Sequence, residues 1–325
     1  MRASAIAPPN IALIKYWGKR HIERNQPAVG SLSITLDGLW TAMDVCFDQG
    51  LEADTLSLNG ADAPRLLPRV SRCLDRIGGE RRPHAEVHSR CNFPVAAGLA
   101  SSASSFAALV VAASRALGQD RDTLELARLA GAASGSAARS LYDGFVELGL
   151  GDIADDDNDI DVESIAAPDE WPLDVIVAVT AAGEKPISSG DAMRQSASSS
   201  PFYQRWVDDQ PGDLAAARAA VHARDFARLA DLSEHNCLKM HSVMWTTRPS
   251  VVYWNSVTLA CMQTVRDLRH AGTPVFFTID AGPQVKAVCS PEAADHVAEA
   301  LRGVDGVIDI MHARLGVGAR LTDAT

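Results

Sequence analysis

The chain has 325 residues, of which 47% are hydrophobic and 22% are charged, and its net charge is −11. This composition is typical of a globular protein with a full core and excludes an intrinsically disordered chain. The acidic charge argues against nucleic-acid binding, which depends on neutralisation of phosphates by Lys and Arg. We therefore expect any anionic ligand to be small and to bind at a local cluster of cations and backbone N–H groups.

The length favours two domains, which we place at residues 1–180 and 181–325. No uninterrupted apolar run approaches the roughly 18 residues of a membrane span, and the N-terminal segment lacks the pattern of a secretory signal. The six cysteines are scattered without a C-x-x-C pair. This spacing argues against a zinc site or a disulfide framework, and it predicts reduced thiols in a cytoplasmic protein.

The first half of the chain alternates strand-like and helix-like segments. SLSITLDG and WTAMDVCF are rich in β-branched and aromatic residues, and AEVHSRCNF alternates between apolar and polar residues, so all three predict strands. LLPRVSRCLDRIGG predicts a helix that ends at a pair of glycines. The apolar segment that follows Ser101 predicts a helix that ends at Gly118, and a further helix is predicted from Asp122.

The second half continues this mixture. WPLDVIVAVTAAG predicts a buried strand, and one long helical pattern covers residues 213–244 while another covers residues 250–272. PVFFTIDAGPQVKAVC predicts a strand, a turn and a second strand. A helix and a single closing strand are predicted beyond residue 290. Because strand pairs and helices are mixed in both halves, the fold class is predicted to be α+β.

The segment from Pro94 to Ser104 is the strongest local signal, since it connects a predicted strand to a predicted helix through small residues. Small residues let the backbone approach an anion closely, and the N-terminus of a helix binds phosphate through its free N–H groups. The segment is neither a Walker A loop nor a dinucleotide-binding fingerprint. The alternative is a tightly packed helix start with serine caps, which is common.

Two further segments place single charged residues among small or apolar neighbours. Arg139 follows the serines and alanines of SGSAA, where a guanidinium can bind a carboxylate or phosphate with two hydrogen bonds. A surface Arg on an Ala-rich helix is equally consistent with this pattern. Asp280 ends the apolar strand FFTI beside a Gly-Pro turn, where low polarity makes the pKa of a carboxylate adjustable. The alternative for Asp280 is a hydrogen bond within the turn.

A fourth segment, NIALIKYWGKR at residues 10–20, surrounds two aromatic residues with three cations in an otherwise acidic protein. This arrangement suits an anionic ligand, and its alternative is an exposed strand end with extended lysines. The run DDDNDID at residues 155–161 is interpreted as a solvated loop rather than as a metal site, because no phosphate-binding segment accompanies it.

The four segments, together and in this order, resemble the signatures of the diphosphomevalonate decarboxylase family, a member of the GHMP kinase superfamily. Smaller matches are SLSITLDG, KPISSGDAM and LKMH, and the resemblance runs from Asn10 to about Val288. It implies a two-domain fold, with an N-terminal domain like ribosomal protein S5 domain 2, a ferredoxin-like C-terminal domain and an active site in the cleft between them. It also implies ATP and Mg²⁺ as cofactors, a phosphorylated mevalonate as substrate and a homodimer.

The resemblance also implies a role for each matching residue. Asp280 would accept or orient the proton of the substrate 3-hydroxyl, Arg139 would grip the substrate carboxylate, and Lys15 would assist electrostatically. The ATP phosphates would be bound by a set of small and polar residues, with Ser102 as a ligand of Mg²⁺; the set is Asn92, Pro94, Ala97, Gly98, Leu99, Ala100, Ser101, Ser102 and Ser104. The substrate would contact Asn10, Tyr16, Lys19, Ser134, Ser136, Arg139 and Asp191.

The sequence departs from the family pattern at several positions. Val29 and Gly30 replace polar residues, Gly131, Ala132 and Ala133 replace charged ones, and Asp143 replaces a glycine. Asp191 introduces a carboxylate close to the implied position of the substrate phosphates, where it would repel a diphosphate.

Four functions remain open on the sequence alone. The first is decarboxylation of mevalonate 5-diphosphate to isopentenyl diphosphate, and the second is the same reaction on mevalonate 5-phosphate. The third is a kinase reaction without decarboxylation, and the fourth is a sensor of small anions without catalytic activity. The presence of Asp280 and Arg139 argues against the sensor, which needs neither residue.

Overall fold

The computed structural model describes residues 1–93, 101–151, 160–183 and 185–322. Helices and strands are mixed along the whole of this part of the chain, which confirms the predicted α+β class. Within it, no helix is both long enough and apolar enough to cross a membrane.

Two large sheets organise the molecule. The first has six strands in the order β16-β1-β6-β9-β7-β8, and only the β7–β9 pair is parallel. Its strands are β1 (Arg2–Ala7), β6 (Thr41–Asp48), β7 (Thr55–Leu58), β8 (Ala61–Asp62), β9 (His84–Cys91) and β16 (Arg320–Thr322).

The second sheet has eight strands in the order β11-β10-β5-β15-β12-β14-β13, with β2 also paired to β5. Its strands are β2 (Asn10–Ile14), β5 (Ser31–Asp37), β10 (Phe145–Leu150), β11 (Ile160–Ala166), β12 (Asp174–Val179), β13 (Val275–Thr278), β14 (Val285–Cys289) and β15 (Asp309–Leu315). This sheet joins strands from both halves of the chain. A short hairpin lies apart from both sheets and consists of β3 (Lys19–His21) and β4 (Gln26–Pro27).

Helices cover the sheets and enclose the core. A 3-10 helix follows α3 and spans Gly135–Leu141. The α-helices are α1 (Leu67–Gly78), α2 (Ser101–Ala116), α3 (Thr123–Ala133), α4 (Ser189–Ser199), α5 (Tyr203–Ala223), α6 (Phe226–Trp245), α7 (Ser256–His270) and α8 (Ala294–Arg302), and a second 3-10 helix precedes α8 at Pro291–Ala293. The first sheet packs on α1, α2 and α3, whereas the second packs on α5, α6, α7 and α8.

Local sequence signals account for many of these boundaries. The first helix ends at Gly79, which has a φ of +79°, so the glycine pair acts as predicted. Helix α3 begins with a capping box, in which Asp122 accepts from the backbone N–H of Glu125 and the side chain of Glu125 accepts in return. Strand β9 alternates exposed and buried residues, as its sequence predicts.

The prediction of one long helix over residues 213–244 is wrong, because the segment is divided between α5, which ends at Ala223, and α6, which begins at Phe226. Arg224 adopts the left-handed conformation with a φ of +53°, and Asp225 then caps α6 by accepting from the backbone N–H of Arg228. The periodicity predicts helix on both sides of the break because each helix has its own buried face.

The single closing strand is also wrong, since β15 belongs to the second sheet and β16 to the first. The chain changes sheet at two glycines, where close backbone contacts leave no room for a side chain. A Cβ atom on Gly318 would lie 2.3 Å from the carbonyl oxygen of Leu141, and one on Gly316 would lie 2.7 Å from the backbone nitrogen of Asp37.

Candidate active site

Asp280 lies just beyond the end of β13. All four residues of this strand and the following Ile279 are buried, which brings the chain out of the core at Asp280. The backbone N–H of Gly282 donates to the carbonyl oxygen of Asp280 at 2.7 Å and closes the turn. The Asp280 side chain remains 24% exposed, so its carboxylate faces an opening while its surroundings are protein.

Two buried lysines hold the Asp280 carboxylate. The Nζ of Lys15 lies 2.7 Å from Oδ1, and the Nζ of Lys286 lies 3.3 Å from Oδ2. Burial alone would raise the pKa of Asp280, but the charges of the two lysines outweigh it and hold that pKa well below its usual range. Asp280 is therefore a carboxylate at neutral pH.

Lys15 is fixed by contacts that leave its ammonium little freedom. Its Nζ also donates to the carbonyl oxygen of Ala12 at 2.9 Å, and its backbone N–H donates to Oδ1 of Asn236 at 2.8 Å. Its carbonyl oxygen accepts from Nε2 of Gln210 at 2.6 Å. The side chain is 1% exposed, so the predicted alternative of an exposed strand end with extended lysines is wrong here.

Arg139 lies on the 3-10 helix and is only 2% exposed, which rules out a surface position. Its Nη1 donates to Oγ of Ser31 at 2.7 Å, and its Nη2 donates to Oδ1 of Asn10 at 3.1 Å. Burial lowers the pKa of Arg139 to about 10, against the opposing charges of Asp280 and Tyr16. Arg139, which the family resemblance assigns to the same substrate as Asp280, is thus electrostatically coupled to Asp280.

Asn10 connects Arg139 to the serine segment. Its Oδ1 accepts from Arg139, while its Nδ2 donates to the carbonyl oxygen of Ser136 at 2.9 Å and to Oγ of Ser140 at 2.8 Å. Every hydrogen-bonding atom of the amide has a partner. Asn10 therefore orients the guanidinium of Arg139.

Tyr16 has a buried hydroxyl for which no hydrogen-bond partner exists among the residues that the structure describes. Burial raises the pKa of Tyr16, although the charge of Arg139 acts in the opposite direction. A Cβ atom on Gly135 would lie 2.3 Å from this hydroxyl, so the tyrosine lies against the start of the serine segment. An unsatisfied buried hydroxyl is costly, which is consistent with a place for a polar ligand.

Lys19 lies beside the N-terminus of α4. Its Nζ is 3.8 Å from the position that a Cβ atom on Gly190 would occupy. Burial lowers its pKa, the charges of Arg194 and Arg69 lower it further, and Asp191 raises it. The guanidinium groups of Arg194 and Arg69 are therefore close enough to act on Lys19, which gives a local group of cations in an acidic protein.

The carboxylate of Asp191 is not a free charge in this structure. Its Oδ1 accepts from Nη2 of Arg194, one helical turn further on, and its Oδ2 accepts from Oγ of Ser188 at 2.6 Å. The Asp191 side chain is 47% exposed. The repulsion that the sequence suggested is therefore offset locally by the guanidinium of Arg194.

The serines at the start of α2 take different positions. Ser102 is partly buried, and its Oγ accepts from Oγ of Ser134 at 3.2 Å. Ser104 is fully buried, and its hydroxyl bonds to Oγ1 of Thr41 at 2.7 Å and to the carbonyl oxygen of Ser101 at 3.2 Å. Ser102 thus faces the Ser134 segment, whereas Ser104 faces the core.

For the remaining residues predicted to bind the ATP phosphates, the structure describes only Asn92 and Ser101. Asn92 is exposed, with Oδ1 accepting from the backbone N–H of Trp40 at 2.8 Å and Nδ2 donating to the carbonyl oxygen of Gly38 at 2.7 Å, so its amide stabilises that turn. Several predicted residues lie outside the described part of the chain, namely Pro94, Ala97, Gly98, Leu99 and Ala100. The first five residues of the Asp-rich run, 155–159, lie outside it as well.

Ser102 is the residue predicted to bind Mg²⁺, and the structure describes few acidic side chains that could complete such a site. Within residues 1–93, 101–151, 160–183 and 185–322, no group of three or more His, Cys, Asp or Glu side chains could hold a metal ion. Mg²⁺ is commonly bound by substrate phosphates, one or two protein oxygens and water rather than by a protein cage. Ser102 at a helix start fits such a site.

The departures from the family pattern are explained largely by packing. Val29 is buried against a cluster that contains Trp17, and a Cβ atom on Gly30 would lie 2.6 Å from Cδ2 of Leu214. Asp143 accepts from the backbone N–H of Gly318 at 2.6 Å, which supports the change of sheet. The carbonyl groups of residues 131–133 are capped by the side chains of Asn25, Arg76 and Arg69.

Sequence reasoning missed Lys286, Ser31 and Lys185. Lys286 is fully buried in VKAVC on β14, and its position opposite Thr278 brings it to Asp280. A lysine inside an apolar strand segment was the available signal, because such a residue is rarely buried without a partner. Lys185 donates to the carbonyl oxygen of Ala281 at 2.8 Å. It is the first residue of KPISSGDAM, one of the smaller family matches, and that match was the available signal.

Comparisons with known proteins agree with this geometry. The family model for the diphosphomevalonate decarboxylase-like N-terminal domain matches residues 7–159, and the model for the mevalonate 5-diphosphate decarboxylase C-terminal domain matches residues 175–312. The chain belongs to the diphosphomevalonate decarboxylase family. The family resemblance and the GHMP kinase fold expected from the sequence are thereby confirmed.

Individual members of the diphosphomevalonate decarboxylase family are similar over nearly the whole chain. Diphosphomevalonate decarboxylase of Gibberella zeae is 32% identical over 94% of this chain and 86% of its own length. The human enzyme is 36% identical over 85% of this chain and 74% of its own length.

Solved structures of the family are also similar. The mevalonate diphosphate decarboxylase of Staphylococcus aureus has a TM-score of 0.92 at 33% identity, with 99% of this chain and 98% of that chain covered. A structure of MDDEF in complex with MVAPP, AMPPCP and magnesium has a TM-score of 0.92 at 34% identity, with 100% and 99% covered.

Proposed function

We propose that this chain catalyses the ATP-dependent decarboxylation of mevalonate 5-diphosphate, which yields isopentenyl diphosphate, ADP, phosphate and CO₂. The observation that carries the proposal is the placement of the Asp280 carboxylate between Lys15 and Lys286, with buried Arg139 coupled to it. Family membership and the similar structure that contains MVAPP, AMPPCP and magnesium support the substrate and the cofactors ATP and Mg²⁺.

Arg139 binds the substrate carboxylate in this mechanism. Its guanidinium is oriented by Asn10 and Ser31, and it can present further N–H groups to an anion with fixed geometry. Binding the carboxylate there holds C3 and its hydroxyl against Asp280.

Asp280 orients the 3-hydroxyl and accepts its proton as the new bond to phosphorus forms. A carboxylate whose pKa is held low is a weak base, and it removes the proton only once the attacking oxygen has become strongly acidic. This order suits the loose transition state of phosphoryl transfer. ATP supplies the phosphoryl group that converts a tertiary alcohol into a leaving group, and Mg²⁺ neutralises phosphate charge.

The remaining predicted residues bind either the phosphates of the substrate or the phosphates of ATP. Tyr16, Lys19, Ser134 and Ser136 bind the phosphates of the substrate, where the unpartnered Tyr16 hydroxyl and the Lys19 ammonium supply donors. The segment from Pro94 to Ser102 binds the phosphates of ATP at the start of α2, whereas Ser104 faces the core. Asp191 contributes through Arg194 rather than by direct contact.

A parallel assay of mevalonate, its 5-phosphate and its 5-diphosphate tests the proposal. We expect ADP and CO₂ to be released in equal amounts with the 5-diphosphate, and kcat/KM to be at least about 10-fold higher for it than for the other two. ADP release without CO₂ would indicate a kinase. A preference for the 5-phosphate would show that mevalonate 5-phosphate is the substrate instead. If none of the three compounds is turned over, the proposal is contradicted.

We also propose that the enzyme is a cytoplasmic homodimer with its domain boundary near residue 180. The six cysteines are unpaired, which is consistent with a reducing compartment. Sedimentation equilibrium measures the oligomeric state, and limited proteolysis between residues 181 and 188, after buried β12 and before α4, would support the boundary.

A further inference from the structure

Lys286 helps to hold the pKa of Asp280 low, but no step of the reaction described so far depends on its position, although it lies at the centre of the site. It is fully buried on β14, directly opposite Thr278 on β13. This register places its ammonium behind the Asp280 carboxylate, 3.3 Å from Oδ2, while Lys15 contacts Oδ1 from β2. The carboxylate is therefore held on both oxygens by cations from different elements.

Within the described part of the chain, several cations lie around the single carboxylate of Asp280. Lys15, Lys185 and Lys286 surround one carboxylate, and the charge of Lys185 is close enough to act on both Lys286 and Asp280. Among the described residues, Arg139 on the 3-10 helix also acts on Asp280, and Cys237 and His241 on α6 face the same cluster. Burial lowers the pKa of His241 to about 3 and raises the pKa of the Cys237 thiol. Cys237 and His241 are thus neutral at pH 7, so cations outnumber anions around Asp280 among the residues that the structure describes.

A buried excess of positive charge is costly for folding, and a methionine would fill the same space without that cost. Burial lowers the pKa of Lys286, and the charge of Lys15 lowers it further, whereas the charge of Asp280 raises it. A charged lysine at this position therefore reduces the stability of the fold. Such a cost is explained when the excess charge acts on a ligand that is anionic. The transferring phosphoryl group of the proposed reaction is such a ligand.

We propose that Lys286 is a positioning residue for the phosphorylation step, holding one oxygen of the Asp280 carboxylate so that Lys15 and the substrate hydroxyl share the other. In that step the 3-oxygen bonds to the γ-phosphorus of ATP, the bond from that phosphorus to the ADP oxygen breaks, and the hydroxyl proton passes to Asp280. The positive charge of Lys286 also stabilises the negative charge on the phosphoryl oxygens. This inference rests on the proposed function.

The test compares Lys286→Met with Arg82→Met. Arg82 is a matched control because its side chain is 3% exposed and pairs with the buried Asp54 carboxylate at 2.6 Å, in the segments that precede β9 and β7 and away from Asp280. We expect Lys286→Met to lower kcat by about 10²-fold and to change either KM by less than about 3-fold. The acid limb of its kcat profile should move to higher pH, because Asp280 loses one of two cations that hold its pKa down. Arg82→Met should lower Tm without moving that profile.

A second measurement is independent of activity. The side-chain carboxyl ¹³C signal of Asp280, assigned with Asp280→Asn, should titrate at a higher pH in Lys286→Met than in the wild type. Lys286→Gln, which keeps a hydrogen-bond donor without the charge, should show the same shift and serves if Lys286→Met does not fold. An Asp280 titration that is unchanged in the folded variant overturns the proposal. A wild-type enzyme that does not turn over mevalonate 5-diphosphate overturns the proposed function instead, while the ¹³C titration still judges the role of Lys286.

Discussion

The Nζ of Lys15 and Oδ1 of Asp280 lie 2.7 Å apart although 265 residues separate them in the chain. Lys15 follows β2 and Asp280 follows β13, so the contact depends on the packing of two strands at opposite ends of the sequence. The pair joins the segment NIALIKYWGKR to the segment FFTIDAGP, two of the four signatures of the family. Their separate patterns become one site only through this contact.

Asp280→Asn keeps the size of the side chain but removes its charge. We expect kcat to fall by about 10³-fold with little change in KM, because the carboxylate acts mainly in the transition state. Steady-state ADP release measures both values. Asp54→Asn is the control, since it removes a carboxylate from the buried pair with Arg82 and should lower Tm while leaving kcat unchanged. Near-normal turnover by Asp280→Asn would remove this residue from the mechanism.

Arg139→Lys replaces a planar guanidinium by a point charge. A lysine cannot contact Asn10, Ser31 and a substrate carboxylate together, so kcat/KM should fall by about 10²-fold or more. The variant should remain folded, which circular dichroism and Tm verify. Arg218→Lys is the control, because the half-exposed Arg218 also binds a carboxylate with two donors, that of buried Glu147 on β10. If Arg139→Lys were as active as Arg218→Lys, the carboxylate would be bound elsewhere.

Ser102→Leu places a larger side chain at the start of α2, beside the Ser134 hydroxyl. We expect the KM for ATP to rise by about 10-fold, and the KM for the mevalonate substrate to change much less, because the added bulk crowds the ATP phosphates. Ser104→Ala is the contrasting variant, since it removes a buried hydrogen bond to Thr41 and should cost about 1 kcal/mol of stability without altering either KM. Equal rises in both KM values for Ser102→Leu would indicate a general disturbance of packing instead.

Tyr16→Phe removes a buried hydroxyl that has no partner among the described residues. Loss of an unsatisfied polar group should leave Tm unchanged or raise it slightly. The KM for mevalonate 5-diphosphate should nevertheless rise by about 10-fold, because a donor to the substrate phosphates is lost. Calorimetry and kinetics on the same preparation give both values. A lower Tm with an unchanged KM would assign the hydroxyl to folding.

Arg194→Gln tests how Asp191 affects substrate choice. Unit charges about 5 Å apart at an effective dielectric near 20 repel by about 3 kcal/mol, and solvent screens much of this for side chains as exposed as these. Removing Arg194 leaves the Asp191 carboxylate without its guanidinium partner. We expect the KM for the diphosphate to rise by about 3- to 10-fold, and the KM for the monophosphate to change less.

The double variant Arg194→Gln/Asp191→Asn completes this experiment. Removing the carboxylate as well should return the KM for the diphosphate most of the way to its wild-type value, which a double-mutant cycle quantifies. If Arg194→Gln has no effect on either substrate, the Asp191–Arg194 pair lies outside the reach of the terminal phosphate and does not affect substrate choice.

The sequence by itself determined the local structure and the family. Gly79 ends α1, Asp122 caps α3, and the alternation in AEVHSRC places one face of β9 in the core, because each of these signals acts between near neighbours in the chain. The break at Arg224 escaped detection, since a left-handed residue between two amphipathic helices does not interrupt their periodicity.

Only the tertiary structure decided what surrounds each charged residue. The sequence is equally consistent with a surface position and a ligand-binding position for Arg139. Its burial follows from the packing of the 3-10 helix against β2 and β5. Lys286 reaches Asp280 through the β13–β14 register, and Asp191 is compensated by Arg194 across one turn of α4. Electrostatics depends on distance and on the exclusion of water, and both are set by segments that are far apart in the sequence.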